Sequence, residues 1–103
     1  MTAIAVVLFT AKDAEDAARI GRALVEEGLA ACVNVVPSVR SIYRWKGKVE
    51  DAAEAMGIAK ARRDRVEALI ARLKALHGYE VPEAIALEVA AGNPDYLRWV
   101  AEG

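Results

Sequence analysis

Residues 29–46, LAACVNVVPSVRSIYRWK, constrain the fold more than any other stretch. Val33, Val35, Ile42, Tyr43 and Trp45 favour extended backbone. The run is about three times the usual strand length of 5–6 residues. Pro37-Ser38 predicts a bulge or bend inside it, since proline cannot donate to a ladder. Lys46-Gly47-Lys48 reads as a hairpin turn. A hairpin this long overhangs a single domain and exposes its apolar and aromatic side chains. That predicts an oligomer in which hairpins pair or pack between subunits.

The segment after the turn, VEDAAEAMGIAKA (49–61), reads two ways. Its alanines and glutamates favour helix. Met56, Ile58 and Lys60 alternate with Ala55, Gly57 and Ala59, which is a strand pattern, and the long strand before it needs a partner.

The rest is plainer. AIAVVLF (3–9) is a continuous apolar run, the pattern of a strand covered on both faces. Asp13 can cap a helix over 14–27, in which Ala17, Ile20, Gly21 and Leu24 share a face; Gly28 fits its end. Val66, Leu69, Ile70, Leu73 and Leu76 form a second apolar stripe in a helix over 62–76, closed by Gly78 at positive φ. Pro82 leads into a strand at 84–89. Asn93 caps a last helix with Pro94 at its first position, and Leu97 and Val100 face inward. The order β-α-β-β-α-β plus a terminal helix predicts an α+β, ferredoxin-like fold.

The 103 residues make one domain, 1–103. A net charge of −1 offers no general pull toward nucleic acid or an anionic membrane. No apolar run reaches the roughly 20 residues of a membrane span, and the N-terminus reads as a strand, not a signal peptide. One cysteine, Cys32, fits a reducing, cytoplasmic setting.

Four stretches, AACVNVVP (30–37), SIYRWKGKVE (41–50), YEVPE (79–83) and GNPDYLRWV (92–100), resemble the signature segments of the CutA family of divalent-cation tolerance proteins. The resemblance covers nearly the whole chain in order. It implies a homotrimer similar to PII-type signalling proteins, and it implies that 49–61 is a strand. The family is linked to tolerance of copper and other divalent cations. Some members bind copper or related metals, and eukaryotic members are associated with anchoring or processing a membrane enzyme. No catalytic reaction follows from it, so the chain is expected to be non-enzymatic. The sequence departs from the family pattern at Gly78 and Glu88, where proline is usual. It also departs at Ala55, Gly57, Ala59 and Ala61, in a strand that usually carries large aliphatics and a threonine. Phe9 and Leu76 stand where some metal-binding members have a cysteine and a second histidine.

His77, the only histidine, is the first candidate metal ligand, completed by Glu80, another subunit or water. The alternative for His77 is a helix-terminal role, its ring bonding a last carbonyl. Cys32 offers a soft ligand for Cu(I), or is an inert small hydrophobe in an apolar strand. Copper or another divalent cation is the expected bound species. Tyr43, Trp45, Tyr79, Tyr96 and Trp99 suit either trimer packing or a small-ligand cleft between subunits, with Arg44, Lys60, Tyr79 and Glu80 as its polar groups. By analogy with PII proteins such a cleft would hold a small anion. That makes a PII-like sensor the alternative to metal tolerance, with a purely structural trimer as the third reading. Beyond the chain itself the sequence names no partner.

Overall fold

A computed structural model describes residues 3–103. The elements run β1 (Ile4–Ala11), α1 (Ala14–Glu26), β2 (Cys32–Trp45), β3 (Lys48–Arg62), a 3-10 turn (Arg63–Arg65), α2 (Val66–Leu76), β4 (Ala84–Glu88) and α3 (Pro94–Glu102). The sheet order is β2-β3-β1-β4, with every neighbouring pair antiparallel. This is the expected ferredoxin-like arrangement, with α3 added.

The chain at 49–61 is strand. Helix propensity there loses to two-sided pairing, because β3 bonds to β2 on one edge and to β1 on the other. Propensity is a weak prior that tertiary context overrides. The second helix starts later than its apolar stripe suggests. Arg62 still pairs with Ile4, and the 3-10 turn precedes Val66. The long strand also begins later, at Cys32, since the amides of Leu29 and Ala30 both turn back to the carbonyl of Leu24.

The turns follow local chemistry. Asp13 accepts from the Asp16 amide at 2.8 Å and opens α1. Asn93 accepts from the Asp95 amide at 3.0 Å and opens α3. Trp45 pairs with Lys48, so the hairpin closes through two residues, Lys46 (φ 50°) and Gly47 (φ 80°). Two positive φ values define the type I′ turn, whose twist suits a hairpin. The predicted bulge is present: Val36 faces Met56 and Val39 faces Glu54, leaving Pro37 and Ser38 opposite Ala55. Gly78 does not take the positive φ expected of it. His77 ends α2 in extended backbone (φ −85°, ψ 143°), which needs no glycine.

One face of the sheet meets the helices. Ala5, Val7, Phe9 and Ala11 of β1 lie opposite Ala61, Ala59, Gly57 and Ala55 of β3. These β1 residues and the three alanines form one buried cluster with Ala17, Ile20 and Leu24 of α1 and Val66, Leu69 and Leu73 of α2. The opposite face stays apolar but open: Leu8 sits between Ile58 and Ile85, and Val6 pairs with Leu87. Ile85 and Leu87 are 51% and 54% exposed. The hairpin adds exposed Ile42, Tyr43, Trp45 and Val49.

Candidate functional site

A cleft of about 670 Å³ opens between the hairpin and the turn that joins α2 to β4. β2 supplies Ser41, Ile42, Tyr43 and Trp45; β3 supplies Glu54; β1 supplies Thr10; the turn supplies Gly78 to Val81 and Glu83. Its rings are Tyr43, Trp45 and Tyr79, and its charges are the carboxylates of Glu54, Glu80 and Glu83. The hairpin overhang and the α2 exit both converge there, so topology builds the cleft.

His77 fixes the turn. Its Nε2 lies 2.6 Å from the carbonyl oxygen of Thr10, and its Nδ1 accepts the Tyr79 amide at 3.0 Å. A carbonyl only accepts, so Nε2 carries the proton, while Nδ1 is the unprotonated acceptor. Both ring nitrogens are thus engaged, and His77 has no lone pair free for a metal. It holds the turn through a β1 carbonyl and not through the end of its own helix. The Leu76 carbonyl is bonded instead by Arg19 of α1, at 2.9 Å. The His77 and Tyr79 rings also pack at 4.6 Å between centroids.

The Tyr79 hydroxyl donates to Glu54 Oε2 at 2.7 Å. Burial and the adjacent carboxylate push the phenol well above the usual tyrosine range, so it remains a donor. Lys46 sits at the rim, its Nζ 3.8 Å from Glu80 Oε2 and 5.7 Å from the centre of the Trp45 ring.

The other sequence candidates lie elsewhere. Lys60 and Cys32 are directly paired across β3 and β2, and Lys60 bonds to Asn34. Cys32 is half-buried, its Sγ 3.9 Å from Asn34 Oδ1. Tyr96 lies beside that thiol, its phenol raised above the ordinary value mainly by burial, and it stacks on Trp99 at 5.7 Å. Arg44 pairs opposite Val49 near the hairpin tip and does not line the cleft. Within the single protomer, Tyr43, Trp45, Tyr79 and Glu80 line this cleft, while Arg44, Lys60, Tyr96 and Trp99 lie outside it; the cleft expected between subunits would draw on a neighbouring chain as well. The protomer's cleft adds Glu54 and Glu83. Glu54 lay hidden in the ambiguous segment: only once 49–61 is a strand does alternation assign its face. Among the described residues no three His, Cys, Asp or Glu side chains converge closely enough to hold a metal ion. No helix there is long and apolar enough to cross a membrane.

The family described as CutA1 divalent ion tolerance protein matches residues 5–103. The chain belongs to the CutA1 family. The divalent-cation tolerance protein CutA of Thermus thermophilus is 50% identical over 97 residues, covering 94% of each chain. A CutA homolog of Xenopus laevis is 49% identical over 83 residues, 81% of this chain and 55% of that longer protein. This chain therefore spans little more than half of that relative. The crystal structure of CutA1 from Oryza sativa superposes with a TM-score of 0.93 at 42% identity, covering 96% of this chain and 91% of that one. The family and its Thermus thermophilus member are named for tolerance of divalent cations, not for a catalysed reaction. Within this CutA1 chain, the departure at Gly57 has a local partner, since Phe9 stands directly across from it.

Proposed function

We propose that this CutA1 chain acts as a non-enzymatic homotrimer in divalent-cation tolerance, meeting Cu²⁺ and related cations weakly at its acidic clefts, with coordination shared between subunits. The observation that carries the reading is the cleft itself, which Glu54, Glu80 and Glu83 line, while both ring nitrogens of His77 are committed to Thr10 and Tyr79. Oxygen donors suit hard to borderline cations better than Cu(I). A tight site needs three or four ligands, and one protomer does not bring three together among its described residues. The open apolar face at Leu8, Ile58, Ile85 and Leu87 supports assembly, since contiguous exposed apolar surface marks an interaction site. A reducing, cytoplasmic setting belongs to the same reading, with Cys32 unpaired. Within one protomer a small anion is less well served, because Arg44 and Lys60 do not line the cleft and three carboxylates do.

Equilibrium dialysis against Cu²⁺, Zn²⁺ and Mn²⁺ tests the proposal. Weak binding is expected, reduced in the double variant Glu80→Gln, Glu83→Gln and unchanged in His77→Ala. Tight binding by wild type that His77→Ala abolishes would show the ligand role to be right and this reading wrong.

A further inference from the structure

The cleft already has an ammonium group resting on part of its lining. Lys46 Nζ stands over the Trp45 ring at 5.7 Å and faces Glu80 Oε2 at 3.8 Å. An aromatic face attracts a cation through its quadrupole, and the attraction grows as water is removed. Lys46 and Glu80 are each 72% exposed in their side chains, so their pairing is screened and weak. The lysine therefore occupies the niche without sealing it.

The space beyond that ammonium has a definite chemistry. At about 670 Å³ the cleft is of small-molecule size. Tyr43 and Tyr79 add rings, Ile42 and Val81 add apolar wall, and apart from Lys46 at the rim no cationic side chain among the described residues borders it. Glu54 is held by the Tyr79 hydroxyl through one carboxylate oxygen. An anion would meet three carboxylates, and a bare metal ion would make no use of the rings or the apolar wall. A cation with a hydrocarbon body uses all three features together.

We infer that this cleft binds organic ammonium ions, primary or quaternary alkylamines, and that Lys46 is its built-in competitor. The inference shares the cleft with the proposal above but needs no metal. Lys46 also stands at a positive φ, where asparagine or glycine is the easier residue. Lys46→Asn thus removes the ammonium while keeping the turn.

The test is calorimetric titration of the assembled protein in chelator with n-butylammonium and butyltrimethylammonium, against 1-butanol and butyrate as neutral and anionic matches. The ammonium probes should bind at least about tenfold more tightly than 1-butanol, and butyrate should not bind. Trp45→Leu should weaken them about fivefold. Lys46→Asn should tighten them, while Lys48→Asn, which removes the same charge from the same hairpin, should leave them unchanged. Three results would overturn the inference: no saturable ammonium binding, equal binding of 1-butanol, or equal shifts in the two lysine variants. The chelator keeps the outcome separate from metal binding, so either proposal can fail alone.

Discussion

The Phe9 ring fills the space that a side chain on Gly57 would need: an ideal Cβ there would overlap Phe9 Cζ. The two are direct partners across β1 and β3, and Phe9 is fully buried. The aromatic ring covers the glycine backbone, so the large residue on one strand requires the smallest on the other. Gly57→Ala should cost about 1–3 kcal/mol by overpacking, and Phe9→Ala about 3–5 kcal/mol by cavity formation. Urea unfolding of both singles and the double variant checks the coupling. The double should be less damaged than the sum of the singles by more than roughly 0.5 kcal/mol; simple additivity would refute the pairing.

His77 should hold the turn through its neutral ring. ¹⁵N spectra at neutral pH should report the Nε2–H tautomer, and hydrogen exchange at the Tyr79 amide should be slow. In His77→Ala that amide should exchange rapidly, with a stability loss of about 1–3 kcal/mol from unpaired polar groups. A wild-type ring protonated on Nδ1 and bare at Nε2 would contradict the geometry.

Tyr79 sets an alkaline limit. Its folded-state phenol is raised above the unfolded value, so its stabilising contribution is complete below about pH 10, the ordinary tyrosine value. It is then lost as pH rises toward the folded value. Stability measured between pH 8 and 11 should fall at the upper end in wild type and fall less in Tyr79→Phe. Identical alkaline limbs would count against the Tyr79–Glu54 contact.

Assembly is tested by mass in solution. Wild type should sediment as three chains of 11.1 kDa each. Leu87→Glu alters a residue exposed in the protomer, so it should leave the fold intact and yield monomer. A monomeric wild type would remove the explanation for the open face at Ile85 and Leu87.

The chain order, the hairpin, the bulge at Pro37-Ser38 and the helix starts at Asp13 and Asn93 were all legible, because each depends on neighbours in sequence. The α1 stripe of Ala17, Ile20, Gly21 and Leu24 is buried as its spacing implies. What stayed ambiguous depended on distant partners. β3 reads helical because its small residues, Ala55, Gly57, Ala59 and Ala61, answer to Phe9 and the helices above it. The repeat of small residues at every second position was the available signal. His77 showed itself as a helix end, but its partner Thr10 is 67 positions away, and nothing local announces that bond. Gly78 suggested a left-handed cap that His77 makes unnecessary by extending the chain itself.

The molecule measures 45 × 25 × 22 Å, and the hairpin, with strands of 14 and 15 residues, is long enough to span the greatest of these dimensions. Geometry makes it a lever arm. Its base is clamped in the sheet between α1 and β1, and its free end carries Trp45 and Lys46. A small rotation at the base is multiplied along the arm into a larger displacement at the tip. The opposite wall of the cleft hangs on a different support, the His77 bond to the Thr10 carbonyl of β1. The two walls are thus held at different places in the sheet, one at the far end of the arm and one at its root.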